Sequence, residues 1–276
     1  MRPFRLASSP CRSMEERLLF VDAIAKGARF MQEIVNDFMN TFYGYGNTAG
    51  RYWFIGMEER CGPNWERDVA PRFEVWRDRG EHDLEDLCAY HARIGIVTHW
   101  EKPVAIQATW RRLIQTVLTA EHGVAPTPQE IAAYQAEQLG SLNGQTCLLE
   151  LFPLPSPRIN QFAYARLAND EYPFFATRDQ YEEHIAPARI EHLRAMMQLP
   201  GERHIVLYGT THLNYWNALV MNTPWAETRI PQIQHCQLFG KHIWLVPHPT
   251  AFGTPGDRYV GLGQLIRQRD MGKNGV

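Results

Sequence analysis

Two segments of this chain hold side chains whose type and spacing suit charge stabilisation during a reaction. The first, Gly56-Met57-Glu58-Glu59-Arg60-Cys61-Gly62, sets two adjacent carboxylates on a turn whose bounding glycines let backbone approach a ligand closely. A carboxylate there would orient a water molecule or steady a positive charge. The plainer alternative is that Glu58 and Glu59 cap a following helix or pair with Arg60 and Arg67, because charged loop residues usually serve the solvated surface. The second segment, His248-Pro249-Thr250-Ala251-Phe252-Gly253, holds a histidine between Pro247 and Pro249, so its backbone is stiff on both sides. A lone histidine is commonly structural, but rigid placement is what a reacting imidazole needs.

The elements around these segments are short apolar runs alternating with helical patterns. Residues 51–56, 146–152, 204–209 and 242–246 are nearly continuous in apolar side chains and close on glycine or proline, as buried strands do. Apolar residues at helical spacing predict one or two helices over 14–42, interrupted at Gly27, and further helices over 81–139, 177–199, 212–220 and 258–269. Thr127-Pro128-Gln129-Glu130 has the form of a helix start, with Thr127 as N-cap. Four such strands separated by helices predict an α/β fold: a central four-stranded, mainly parallel sheet with helices on both faces. The expected organisation is a single domain over 1–276, with an N-terminal helical extension over 1–50 and a helical insertion over 81–140.

Ligands of such sheets bind beyond the carboxyl ends of the strands. The four exits to inspect are therefore 56–62, 150–157, 209–214 and 248–257, and both reactive segments are among them.

Together these exits resemble the uracil-DNA glycosylase superfamily. The resemblance rests on GMEERCG after the first strand, HPTAFGTPGDR after the fourth, the proline-rich LLELFPLPSP after the second and the glycine ending IVLYGTTH, and covers residues 50–270. It implies a monofunctional DNA N-glycosylase that flips a base from DNA and hydrolyses its glycosidic bond, leaving an abasic site. Glu58 would steady the oxocarbenium-like sugar and direct water, with Glu59 the alternative, and His248 would stabilise the departing base. Gly56 and Met57 would lie against the base, and the loop from Thr250 to Arg258 would enter the duplex with Phe252 as its apolar wedge.

In uracil-specific members an asparagine closes the second strand, where this chain has Glu150. An ionised carboxylate only accepts hydrogen bonds, so it would favour the amino group of cytosine over the oxygen of uracil. The expected substrate is a modified cytosine, such as the hydroxymethylated or glucosylated bases of phage DNA, which suggests defence more than repair. Excision of uracil is the alternative, and a catalytically silent DNA-binding module or a small-molecule nucleoside hydrolase are others. Trp65 is a candidate platform for stacking the base, whereas the spacing of Phe73 and Trp76 suits a helix core.

Composition narrows the remaining classes. A net charge of −2, with 28 basic and 30 acidic residues, excludes a polybasic nucleic-acid binder but not a local basic face. The five cysteines include no C-x-x-C pair, so reduced thiols are expected and an iron–sulfur cluster is not. Neither H-E-x-x-H nor H-x-H occurs, and no strand runs into G-x-G-x-x-G, so neither a metal nor another cofactor is expected. The chain lacks a bilayer-spanning apolar run or signal-peptide pattern, so a cytoplasmic protein is expected, and the resemblance implies DNA as its partner.

Overall fold

The computed structural model describes residues 14–273 apart from 159 and 254, with side chains from residue 26 to 272; Cys11 and the start of the N-terminal extension lie outside the described residues. The four expected strands form the centre of a larger sheet: β2 (Tyr52–Gly56), β4 (Thr146–Glu150), β5 (His204–Tyr208) and β8 (Lys241–Val246). These pair in parallel in the order β4-β2-β5-β8. Outside them lie β1 (Gly44–Gly46), β3 (Leu84–Glu85), β6 (Ala226–Glu227) and β7 (Gln234–Leu238), giving an eight-stranded sheet in the order β3-β1-β4-β2-β5-β8-β7-β6.

The sheet is mixed, which corrects the expectation of a four-stranded, mainly parallel one, because β1 runs antiparallel to β4 and β7 antiparallel to β8. These outer strands escape an apolar-run criterion for physical reasons. Gly44-Tyr45-Gly46 looks like a chain break, and Gln234-His235-Cys236-Gln237-Leu238 interleaves polar side chains, as strands near a sheet edge do. The hairpin from β7 to β8 turns through Phe239 and Gly240, both with positive φ (53° and 71°), the backbone of a tight two-residue turn.

Eight α-helices surround the described part of the sheet. They are α1 (Met14–Thr41), α2 (Ala70–Asp78), α3 (Leu87–Arg93), α4 (Ala108–His122), α5 (Pro128–Glu137), α6 (Arg178–Met197), α7 (Leu213–Leu219) and α8 (Asp257–Lys273). The N-terminal helix is continuous across Gly27, an exposed position where glycine weakens a helix by about 1 kcal/mol without breaking it. Thr127 caps α5 in a complete capping box with Glu130. Helix α4 packs closely on α8: a Cβ at Gly263 would stand 2.6 Å from the Thr116 carbonyl oxygen, so the Gly-Leu-Gly of the last helix serves helix contact.

Topology fixes where a ligand can enter. The chain leaves β2 towards β4 on one side, whereas it leaves β5 towards β8 on the other, so the switch point is the crevice at the carboxyl ends of β2 and β5. Arg189 of α6 braces the adjoining end of β4. It is buried, stacks 3.6 Å above the Tyr43 ring, and donates to the carbonyl oxygens of Leu151 (3.0 Å), Phe42 (2.7 Å) and Glu150 (2.7 Å). Burial lowers its guanidinium to about 10, still charged at neutral pH. Arg189→Met would orphan these carbonyls at roughly 1–3 kcal/mol each, so unfolding in urea should show a loss of about 2 kcal/mol or more; an unchanged midpoint would deny Arg189 its bracing role.

Candidate active site

A cleft of about 460 Å³ opens at the switch point and brings both reactive segments together. Met57, Glu58, Glu59 and Arg60 line it from the first exit, Glu150 and Ser156 from the second, Tyr208 and His212 from the third, and His248 and Thr250 from the fourth. Gly56 adjoins two of the lining side chains: a Cβ there would stand 2.2 Å from the Tyr208 hydroxyl and 2.7 Å from Glu150 Oε2. Only glycine permits that approach.

The exits are tied to one another by backbone. Leu151 N–H donates to Gly56 O (2.9 Å), Phe152 N–H to Met57 O (2.7 Å), Ser156 N–H to Glu59 O (3.0 Å) and Cys61 N–H to Ser156 O (3.2 Å). The prolines at 153, 155 and 157 stop the second strand without releasing it, because the chain continues beside the glutamate turn. On the other side, Gly209 N–H donates to Val246 O at 3.0 Å, and the Tyr259 hydroxyl holds Pro247 O at 2.7 Å just before His248.

The two glutamates differ in surroundings, and neither pairs with Arg60 or Arg67. Glu59 is caged: Oε1 accepts from Arg72 Nη1 (2.8 Å) and lies 3.1 Å from His91 Nε2, while Oε2 accepts from the Tyr45 hydroxyl (2.7 Å). Burial alone would raise its carboxyl, but the Arg72 charge and the His91 and Tyr45 contacts hold it well below the usual carboxylate range. Glu58 Oε2 accepts from Arg178 Nη1 of α6 at 2.6 Å. Here burial outweighs the arginine, and the carboxyl lies above its ordinary range. The glutamates cap no helix start: the π-helical turn Trp65–Val69 that leads into α2 is capped by Asn64, which accepts from Arg67 N–H at 2.8 Å.

The imidazole of His248 has a defined tautomer. Thr250 N–H donates to Nδ1 at 3.2 Å and the Thr250 hydroxyl lies 3.1 Å from the same nitrogen, so the neutral ring carries its hydrogen on Nε2. Burial and the neighbouring His212 lower the His248 value, favouring the neutral ring. The result is an uncharged Nε2–H donor on a stiff backbone.

Of the expected site residues, Gly56, Trp65, Phe252 and Arg258 are not among those that line the cleft. Trp65 packs edge-on to Tyr164 (5.6 Å between centroids) beneath Arg166 (5.0 Å), so it belongs to the periphery of the core and is no platform in the cleft. Phe73 and Trp76 are fully buried, as their spacing predicts. Phe252 is fully exposed on the loop beyond Thr250, bordering an adjoining hollow with Thr210 and Pro247. Arg258, at the end of the same loop, lines a separate hollow with Ile230 and Pro255.

The wall that sequence reasoning missed comes from the helical insertion. Gln107, Thr109 and Trp110 line the cleft at the start of α4, with Trp110 packed against Trp100 (5.7 Å) and His99 (5.1 Å). Gln107 caps that helix by accepting from Trp110 N–H at 2.7 Å, a weak local signal since glutamine is an uncommon cap. Arg158 joins Arg60 at the cleft as an exposed cation.

The four described cysteines are free thiols, and burial pushes Cys61 up to about 12. Among the described residues, no group of three or more His, Cys, Asp or Glu is arranged to hold a metal ion, and no helix is long and apolar enough to cross a membrane. No family model, curated protein or solved structure matches the chain.

The Glu59–Arg72 pair sets a stability requirement. Because the Glu59 value is lowered on folding, its contribution is present above the unfolded carboxylate range and is lost as pH falls. Arg72→Ala would leave that charge uncompensated, and denaturation at neutral pH should show a loss of about 3–5 kcal/mol. Wild-type stability in that variant would mean that the cage carries no net energy.

Proposed function

We propose that this protein is a DNA glycosylase of the uracil-DNA glycosylase type, which takes one damaged or modified base out of the duplex and hydrolyses its N-glycosidic bond. The observation that carries the reading is that the glutamate turn and the Nε2–H of a rigid, neutral His248 belong to one cleft at the sheet's switch point. Hydrolysis breaks the C1′–N bond, whose electron pair leaves with the base, and forms a C1′–O bond from water, whose proton passes to a carboxylate. Charge develops at two places, positive on the sugar and negative on the base. A carboxylate and a hydrogen-bond donor held on opposite strand exits answer both.

Glu58 suits the sugar side better than Glu59. Arg178 occupies only its Oε2, whereas the Glu59 carboxylate already meets three partners and is committed to holding the turn. His248 serves the base side, since a neutral donor can stabilise an anionic leaving group without first losing a proton. The fully exposed Phe252, two residues beyond the cleft-lining Thr250, supports a duplex as substrate, because an apolar ring so placed can fill the gap that an extruded base leaves in the stack. Arg60 and Arg158 supply cations for phosphate despite the slightly acidic whole.

The direct test is mass spectrometry of bases released from duplexes containing uracil, hydroxymethylcytosine or glucosylated hydroxymethylcytosine. At least one should yield free base and an abasic site, and release should fall about 10²–10³-fold in His248→Ala and by a comparable factor in Glu58→Gln. Since Glu58 must be ionised and its carboxyl lies above the usual range, activity should decline on acidification at a pH higher than an ordinary glutamate would dictate. No base from any duplex, or full activity in both variants, would overturn the proposal.

A further inference from the structure

Three carboxylates meet the cleft, and one has no cation. Glu58 pairs with Arg178 and Glu59 with Arg72, whereas among the described residues no ion pair reaches the Glu150 carboxyl. Arg189 reaches the same strand end in space but donates to the Glu150 backbone oxygen, not to its side chain. Oε1 of Glu150 faces the Tyr208 hydroxyl at 3.5 Å, and Oε2 is buried with no hydrogen-bond partner among the described residues. That oxygen lies beside Gly56, on a residue that lines the cleft. A buried, unpaired carboxylate next to two ionisable neighbours is costly, and taking up a proton relieves the cost.

We infer that Glu150 acts as a neutral carboxylic acid that holds the substrate at two points, its O–H donating to a ring acceptor and its C=O accepting from the adjacent donor, as the N3–C4 edge of a pyrimidine requires. This inference rests on the reading of the cleft as the seat of a flipped base. It changes the basis for substrate choice: an ionised Glu150 would select an amino group, but a neutral one pairs with the oxygen and N–H of a uracil-type edge or the amino group and ring nitrogen of a cytosine-type edge, according to which oxygen holds the proton. The groups that bear on its ionisation are Glu58 and Glu59 from the first exit, Tyr208 of β5 and Arg189 of α6, and the same cleft is also lined by Arg60, Arg158, His212 and His248. Burial, followed by the charges of Glu59 and Glu58, holds the carboxyl well above the usual range, against the weaker pull of Tyr208 and Arg189.

Glu150→Gln keeps one donor and one acceptor but has no proton to lose, whereas Glu150→Ala removes both. For base release followed across pH, the wild type should lose activity as Glu150 ionises on the alkaline side, and Glu150→Gln should remain active and lack that alkaline decline. Glu150→Ala should be slower by about 5- to 150-fold in kcat/KM at pH values where wild-type Glu150 is neutral, the value of one two-point contact, and the deficit should narrow as wild-type Glu150 ionises. A second measurement needs no substrate: carbon NMR of the glutamate carboxyls in the intact protein should contain a resonance, absent from Glu150→Gln, that titrates above the ordinary glutamate range. An ordinary titration, an alkaline decline that persists in Glu150→Gln, or wild-type turnover in Glu150→Ala would each overturn the inference. A high-titrating resonance without base release from any duplex would instead overturn the glycosylase reading, and the two-point contact with it.

Discussion

The placement of three carboxylates around one cleft with cations for only two of them governs the rest of this molecule. Charge taken out of water must be paired, neutralised by a proton, or left near solvent. Each glutamate meets that requirement differently: Glu59 through a buried arginine, a histidine and a tyrosine, Glu58 through an arginine on a distant helix, and Glu150 through burial that favours its protonated form. On the proposed reading, three acids of one residue type thereby serve three distinct roles: a fixed charge, a titratable base and a hydrogen-bond donor–acceptor.

Such a cluster holds its shape only on a rigid frame. Parallel pairing of β4, β2, β5 and β8 aligns their carboxyl ends, and backbone hydrogen bonds carry the alignment beyond the sheet into the exits themselves. The helices then add what the strands cannot. Helix α6 contributes Arg178 to the Glu58 carboxylate and Arg189 to the end of β4, two residues eleven apart on one helix serving adjacent parts of the site. Helix α4, held against α8 through Gly263, brings Trp110 to the cleft and makes the insertion a wall of the site.

Much of this was legible from residue types. The four central strands are continuous apolar runs, so burial on both faces is written into them, and the capping box at Thr127 is a local pattern that needs no tertiary context. The convergence of Glu58, Glu59, Glu150 and His248 followed from the rule that parallel sheets bind ligands at their carboxyl ends. The outer strands were hidden because short or polar edge strands lack an apolar run. Arg72, Arg178 and Trp110 were hidden for another reason: Arg72 meets Glu59 from the following helix, Arg178 meets Glu58 from 120 residues away and Trp110 lines the cleft from the insertion, and no local spacing reports such contacts. Trp65 shows the converse, since proximity in sequence to the glutamate turn did not bring its ring into the cleft.

A crystal structure of the protein with a duplex carrying a 2′-fluoro nucleotide, whose glycosidic bond resists cleavage, addresses the account most directly. It should show that nucleotide rotated out of the helix, its base edge at Glu150, its C1′ near Glu58 and its departing nitrogen side near His248 Nε2, with Phe252 in the vacated stack. A duplex bound elsewhere on the surface, or one engaged at the cleft with every base still paired, would contradict it.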